Sequence, residues 1–456
     1  MRKEKGLPRP AVQDWFSRLC FFVSVWIGQI ALAGYLLLDS LLVSHAQPLL
    51  LGAVALGNSA YVSAIATCAA TLSGSTVILA QESKNSERCF RSFASNVLTL
   101  ALFLGTIILM FLQAIKHFNI WHSADDTIQI AASQYIRWLS IGVYPTMLYR
   151  STAAICHGAA LSKYVCYLQF VGLTIKCISM CFMYFCFPRF AILKICGMST
   201  ALSYVFIGTL SVVLLYKTPF VNRFRPRLGK YLLDLRSYIP LIRAGFPIGT
   251  ASLAELCAFA LFSAKIGQFG AVNLAAHQIA YSVISVGYSF TSALSIVTSV
   301  RVGQLSRDGA AHAREHEVRR ALRWSFVLGI TLMLCTATFR SQIASSYTAS
   351  SDINTLAQQI MLLVAIILFF DSIQATAASS LRAIGCNFLP ACVQIAGLWF
   401  IGIALSDYLV RFSSPIMNGR EAIVYWVAVS IGMSMIAAVL SVLALRRHSA
   451  VGTERS

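Results

Sequence analysis

The sequence has very few charged residues. Asp, Glu, Lys and Arg together make up 12% of its 456 residues, which is about half of the share in an ordinary soluble domain. Hydrophobic residues make up 57%. So few charges cannot cover the surface of a soluble enzyme of this length. The composition therefore excludes that class, and it excludes disordered, collagen-like and coiled-coil proteins as well.

The sequence also lacks the motifs of common enzymes and metal sites. Its 13 cysteines are scattered singly without a CxxC pair, and neither GxSxG nor HExxH occurs. The stretch His312-Ala313-Arg314-Glu315-His316 fits the HxxEH pattern of inverted zinc proteases, but no third ligand lies near it, so we interpret it as a chance match. We expect no enzymatic activity, no cofactor, no metal cluster and no disulfide framework.

Long apolar runs recur along the chain with short polar breaks between them. A membrane-spanning helix needs about 20 such residues, and a backbone in lipid must form its hydrogen bonds within the helix. We therefore predict an all-α integral membrane protein with twelve transmembrane helices. The predicted spans are 19–43, 54–79, 93–112, 130–148, 164–187, 195–216, 244–266, 274–300, 324–339, 356–381, 389–409 and 422–445.

The basic residues are distributed unevenly between the two sides of these spans. Of the 36 Lys and Arg residues, 27 lie in the termini and in the loops after even-numbered spans, and six lie on the other side. This bias places both termini in the cytoplasm. The net charge of +19 is thereby a topology signal, and no nucleic-acid partner is expected. We predict a multi-pass, monomeric protein of a bacterial inner membrane.

The longest basic break divides the spans into two sets of six. Residues 52–54 (Gly-Ala-Val) with Ala60-Tyr61 recur as residues 270–272 with Ala280-Tyr281. Because each set has an even number of spans, both copies enter the membrane from the same side. We predict two six-helix lobes related by a pseudo-two-fold axis along the membrane normal. They comprise an N-terminal lobe (1–216), a basic cytoplasmic linker (217–243) and a C-terminal lobe (244–456).

Three acidic residues lie deep within predicted spans: Asp39, Glu255 and Asp371. A charge at mid-bilayer costs roughly 3 kcal/mol or more, and such residues are functional by default. A carboxylate there holds a proton or binds a cation, unless it pairs with a buried base or caps a helix. Gln278 and Tyr281 are three residues apart on one helix face. Together with the acids they could form an oxygen cage for Na⁺ or a relay for H⁺.

At these residues the sequence resembles the multidrug and toxic compound extrusion (MATE) family, in its NorM-like branch. The resemblance covers most of the chain. It rests on residues 244–249 (Ala-Gly-Phe-Pro-Ile-Gly) followed by Glu255, on 274–280 (Leu-Ala-Ala-His-Gln-Ile-Ala), on 301–304 (Arg-Val-Gly-Gln), on Gly28-Gln29 before Asp39, and on 371–374 (Asp-Ser-Ile-Gln) before Leu381-Arg382.

The resemblance implies a twelve-helix exporter that opens to one side of the membrane at a time. It implies export of bulky, often cationic organic compounds in exchange for Na⁺ or H⁺. By the same resemblance, Glu255 and Asp371 form the cation site of the C-terminal lobe, and Gln278 and Tyr288 lie close to it. Asp39 is then the ionisable group of the N-terminal lobe. The expected partners are small organic substrates and membrane lipids.

The sequence departs from the family pattern at two bases within predicted spans, Lys176 and Arg137. We hypothesise that Lys176 lies beside Asp39 and partly neutralises it, which would leave the coupling to Glu255 and Asp371. The same two bases favour an alternative, a lipid-linked oligosaccharide flippase of the same superfamily. A receptor or scaffold would share the topology but leave the three carboxylates unexplained.

Overall fold

A computed structural model describes eleven ranges of the chain, and their regular structure is helical. The ranges are 15–47, 50–82, 87–118, 126–159, 161–187, 190–217, 238–269, 271–307, 311–347, 350–417 and 421–453. In chain order the helices are α1 (Trp15–Ala46), α2 (Leu51–Glu82), α3 (Glu87–Phe118), α4 (Asp126–Ser140), α5 (Val143–Gly158), α6 (Ser162–Cys186), α7 (Ile192–Lys217), α8 (Ile239–Gly267), α9 (Ala271–Arg307), α10 (Ala311–Tyr347), α11 (Ser351–Ala383), α12 (Phe388–Ala396), a π-helical segment (Gly397–Ala404), α13 (Leu405–Met417) and α14 (Glu421–Thr453).

Eleven helical stretches of the described residues are long and apolar enough to cross a membrane. They correspond to eleven of the twelve predicted spans. The remaining predicted span, 130–148, is not one continuous helix but is divided between α4 and α5. Its prediction as a single helix was therefore wrong.

The break between α4 and α5 has a local cause. Pro145 has no backbone N–H to donate to the carbonyl of Ile141, so the α-helical ladder cannot continue across this point. The proline occupies the first turn of α5 instead, where its missing N–H is not needed. Gly142 forms the turn, and a Cβ atom there would lie 3.2 Å from Cα of Ala201. The turn therefore lets α7 approach closely.

The predicted span 389–409 contains the π-helical segment between α12 and α13. Such segments are rare and are often found at functional sites. Here Gly397 packs against α14, where a Cβ atom on Gly432 would stand 2.8 Å from the Gly397 carbonyl oxygen. On the same segment, Nε1 of Trp399 donates to the carbonyl of Ala254 on α8 at 3.1 Å.

The chain divides into two compact units, Met1–Gly249 and Thr250–Ser456. The first unit has a core that includes Leu72, Phe90 and Tyr135, and the second has a core around Phe262 and Trp426. The first turns of α8 belong to the first unit because glycines there pack closely on α2. The sequence-based boundaries 1–216, 217–243 and 244–456 stay predictions, and residues 218–237 of the linker lie outside the described ranges.

Close packing of α5 on α7 gives a stability prediction. A Cβ atom on Gly208 would lie 2.7 Å from the carbonyl oxygen of Pro145 and 2.9 Å from its Cα. Because these are backbone atoms, they cannot rotate away. We expect Gly208→Ala to destabilise the protein by about 1–3 kcal/mol and to lower its Tm, measured by thermal unfolding in detergent.

Gly28→Ala is the matched control, because a Cβ atom there meets its nearest neighbour, Cα of Cys166, at an ordinary 3.7 Å. Its Tm should stay unchanged or rise slightly, since alanine favours helices by up to about 1 kcal/mol over glycine. Equal Tm values for the two variants would contradict the close packing of α5 and α7.

Candidate functional site

The first candidate site is a buried ion pair in the first unit. Nζ of Lys176 on α6 lies 2.8 Å from Oδ1 of Asp39 on α1, and the two side chains are 0% and 3% exposed. This distance confirms the predicted proximity of Lys176 and Asp39. The two charges cancel each other inside the helix bundle.

Neutral donors complete the surroundings of the Asp39 carboxylate. The hydroxyl of Tyr135 on α4 donates to Oδ2 at 2.7 Å, and that of Thr200 on α7 lies 3.4 Å from the same oxygen. Lys176 also donates to Thr200, and its Nζ stands 5.3 Å from the ring centroid of Tyr35. Both charges are therefore bonded within a cluster drawn from α1, α4, α6 and α7.

The second candidate site lies in the second unit around Asp371 on α11. This carboxylate is also buried, at 6% exposure, but its hydrogen-bond partners are neutral. The hydroxyl of Thr291 on α9 donates to Oδ2 at 2.7 Å, and Nε2 of Gln374 donates to Oδ1 at 2.9 Å. These bonds orient the carboxylate without cancelling its charge.

A line of amides continues from Asp371 to the end of α11. Oε1 of Gln374 accepts from Nε2 of Gln394 at 2.8 Å. Oε1 of Gln394 accepts in turn from Nη2 of Arg382, also at 2.8 Å. Since a guanidinium can only donate, Arg382 fixes the direction of each bond, and an N–H of Gln374 must point at Asp371.

Glu255 on α8 belongs to the same site. Its charge interacts electrostatically with Asp371 and with Arg382, and Tyr288 on α9 interacts with both acids. Glu255 is half-buried and Tyr288 is 50% exposed, so this part of the site is accessible. Among the described residues, neither Glu255 nor Asp371 has a Lys, Arg or His nitrogen within 4.0 Å in an ion pair.

The acids of the two units thus differ in how their charge is compensated. Asp39 has a cation in direct contact, whereas Glu255 and Asp371 present carboxylate oxygens and neutral donors. Oxygen ligands of this kind suit a hard cation such as Na⁺, and a carboxylate pair without a bound base can equally hold a proton. The arrangement in the second unit can therefore load and release either ion.

Two residues, Gln278 and Tyr288, were expected to support this site. Tyr288 interacts electrostatically with Glu255 and Asp371, and its place in a cation site stays a prediction. The side chain of Gln278 lies outside the described part of the chain, so its proposed place in the site stays a prediction. Tyr281 follows Gln278 by three residues and therefore lies on the same helix face. It interacts electrostatically with Glu255.

Sequence reasoning missed most of the groups that bond directly to the acids. Thr291 beside Asp371 was not singled out, nor were Tyr135 and Thr200 beside Asp39. A local signal existed on α11, where Gln374 follows Asp371 by three residues and so shares its face. The other partners come from separate helices, and no local pattern marks them.

Two further sequence features have structural explanations. The third base within a predicted span, Lys265, donates to Oδ1 of Asp407 at 2.6 Å, and both side chains are partly exposed.

The HxxEH stretch lies in the first turns of α10. There Glu315 accepts from Nη2 of Arg319 at 2.7 Å, one helical turn away, and the described residues hold no group of three potential metal ligands.

Comparison with known proteins agrees with the helical architecture. The chain matches the MatE family over residues 25–183 and 247–407. It is similar to a multidrug resistance MATE family transporter of the MOP superfamily in an outward-facing conformation, with 19% identity, 96% of each chain covered and a TM-score of 0.82.

Two other solved structures have similar backbones. One is a Vibrio cholerae MATE transporter in a bent form, with 15% identity, a TM-score of 0.80, and 96% of this chain and 98% of that chain covered. The other is a MOP superfamily transporter from Pyrococcus furiosus, with 18% identity, 96% of each chain covered and a TM-score of 0.82. The reversed polarity of its binding pocket suggests a different function for that protein.

The buried ion pair gives a double-mutant-cycle prediction. Removal of one partner of a buried pair leaves an uncompensated charge and typically costs about 3–5 kcal/mol. We therefore expect Lys176→Gln to lower the Tm in detergent strongly and Asp39→Asn to do the same. The double variant should recover much of the loss, because neither charge is then left alone. Additive losses in the double variant would contradict a direct energetic coupling.

Proposed function

This chain belongs to the MatE family of membrane transporters, and we propose that it is a secondary active efflux transporter. It exchanges Na⁺ or H⁺ for bulky, often cationic drugs or toxic compounds by alternating access. The proposal is supported by the half-buried Glu255 and the buried Asp371, since neither has a basic ion-pair partner among the described residues.

The coupling ion acts at these two acids of the second unit. Each loaded ion compensates negative charge that the surrounding protein leaves uncompensated. A ligand shifts a conformational equilibrium only by its different affinities for the two states. Ion loading at Glu255 and Asp371 therefore drives transport if the two conformations differ in the distance between the carboxylates or in their hydration, because the ion then binds one conformation more tightly.

Thr291 is placed to respond to the state of Asp371. Its hydroxyl oxygen lies 2.7 Å from Oδ2 of Asp371 and 3.2 Å from the carbonyl oxygen of Tyr288. When the acid is ionised, the hydroxyl donates to Asp371. When the acid is protonated, the hydroxyl can accept a hydrogen bond from the acid and donate its own hydrogen to the backbone carbonyl of Tyr288, so α9 is in contact with the loaded group.

Asp39 takes no coupling ion in this proposal. Lys176 already occupies the position of a counter-cation at 2.8 Å. A second cation next to this pair would face the ammonium group, and a proton on Asp39 would break a buried charge pair. In this proposal, coupling is therefore confined to the second unit. The reason is Lys176, the base at which the sequence departs from the family pattern.

The flippase alternative is less well supported. It needs a cavity rich in Lys and Arg that can bind a pyrophosphate. The charge of Lys176 is cancelled by Asp39, and the side chain of Arg137 is exposed on α4. Because the charge of Lys176 is already compensated, only Arg137 could bind a pyrophosphate, and we therefore favour cation-coupled export.

We further propose that the protein acts as a monomer in a bacterial inner membrane, with both termini in the cytoplasm. The uneven distribution of Lys and Arg supports this orientation. The substrates are small organic molecules, the surrounding partners are membrane lipids, and no cofactor beyond the coupling ion is required.

The central experiment is efflux from proteoliposomes with Na⁺ and pH gradients imposed separately. Glu255→Gln and Asp371→Asn should insert normally and lose gradient-driven efflux, because the coupling charge is gone while the fold is kept. Asp407→Asn is the matched control. It removes a carboxylate that is paired with Lys265, and we expect wild-type coupling from it. Wild-type efflux from both coupling variants would refute the proposal.

Lys176→Gln tests the assignment of Asp39. Without the ammonium group, Asp39 becomes a carboxylate with neutral partners only, as Asp371 is. We expect this variant to gain a second ionisable site and to show a changed pH dependence of efflux. If its efflux and pH profile match those of the wild type, the idea that Lys176 prevents Asp39 from acting as an ionisable site would be discarded.

A further inference from the structure

A polar groove opens between α3 and α4 of the first unit, far along the chain from the coupling acids. It encloses 310 Å³, and its polar lining comes from Gln113 on α3 and from Ser133, Arg137 and Ser140 on α4. Three buried aliphatic side chains form its floor. Nothing in the proposed transport cycle uses this groove.

The groove lies on a face that contacts lipid. Ile130 on α4 is 59% exposed, and its spacing of seven residues from Arg137 puts both side chains on one helix face. On α3, Met110 is 69% exposed and precedes Gln113 by three residues. Exposed apolar side chains on a membrane-spanning helix face hydrocarbon, so Arg137 and Gln113 face it as well.

The neighbouring aromatic residue indicates the depth of the groove. Trp138 lies next to Arg137, and its ring centroid is 5.1 Å from Nζ of Lys194. Lys194 lies in the first turn of α7, just before the predicted span 195–216. Trp and Lys side chains at such positions mark the membrane–water interface. The long side chain of Arg137 can therefore reach the level of the lipid phosphates.

The charge of Arg137 is not compensated by any acid that the structure describes. Among the described residues no acid pairs with it. The hydroxyls of Ser133 and Ser140 donate to carbonyls of their own helix, those of Ile130 and Ile136, both at 2.8 Å. A guanidinium that faces lipid without an anion is costly. Its planar set of donors matches the oxygens of a phosphate group.

We propose that Arg137 and Gln113 form a binding site for the phosphate group of an anionic membrane lipid. The guanidinium binds the phosphate oxygens, the amide of Gln113 donates from the opposite wall, and the acyl chains follow the exposed apolar faces of α3 and α4. This site is independent of the proposed transport activity, because it shares no residue with the two acidic clusters.

Lipid retention by the purified full-length protein tests the site. We would exchange wild type and Arg137→Gln into detergent with phosphatidylglycerol or phosphatidylcholine of identical acyl chains, and count bound lipids by native mass spectrometry. One basic residue near the surface contributes about 1 kcal/mol to anionic lipid binding, so we expect wild type to retain phosphatidylglycerol about fivefold better than the variant. Retention of phosphatidylcholine should not change.

Arg411→Gln is the matched control, because Arg411 is an exposed arginine of α13 outside the groove. It should retain phosphatidylglycerol as the wild type does. Arg137→Lys, which keeps the charge but loses the planar donors, should give intermediate retention. Should Arg137→Gln fail to fold, Gln113→Leu provides a second variant with the arginine intact, and its retention should also fall.

Two results would overturn the proposal. Equal retention of phosphatidylglycerol by wild type and Arg137→Gln would mean that water alone solvates the guanidinium. Protection by inorganic phosphate that equals protection by phosphatidylglycerol, measured as the rise in Tm, would mean that the groove binds a soluble anion and not a lipid.

Discussion

An ionised side chain inside an apolar helix bundle must be compensated, and the way in which each acid is compensated decides what it can do. Asp39 is matched by the ammonium group of Lys176 in direct contact, so its charge contributes to the packing of α1, α4, α6 and α7. Asp371 receives only neutral donors, and Glu255 is half-buried beside it. These two carboxylates retain a negative charge that a mobile ion can compensate. The two units therefore differ because Lys176 on α6 compensates Asp39.

In the second unit, one stretch of the chain, formed by α12 and the π-helical segment, donates hydrogen bonds near both acids. Gln394 on α12 bonds Gln374, which in turn bonds Asp371. Five residues later, Trp399 on the π-helical segment donates to the carbonyl of Ala254, the residue before Glu255. A change in the local winding of this stretch would therefore alter the support of both carboxylates together.

Much of this architecture could be predicted from local patterns. The spans were readable because a membrane imposes a run of about 20 apolar residues, and the intramembrane acids stood out because a charge within such a run is costly. The division of the fourth span was not predicted, although Gly142 and Pro145 were visible, because the apolar run continues across them. The proximity of Lys176 to Asp39 was a hypothesis that rested on the departure from the family pattern at Lys176. Tyr135 and Thr200, which complete that cluster, carry no mark in their own sequence surroundings.

The sequence by itself determined the helical class, the positions of the spans and the identity of the three buried acids, because each of these depends on hydrophobicity and charge within a short window. Only the tertiary structure decided which acid is in direct contact with a base and which has neutral hydrogen-bond partners. That choice depends on contacts between distant residues: Asp39 and Lys176 are 137 positions apart, and Thr291 and Asp371 are 80 positions apart. Hydrogen bonds act over about 3 Å, and only the packed helices bring such groups within that distance.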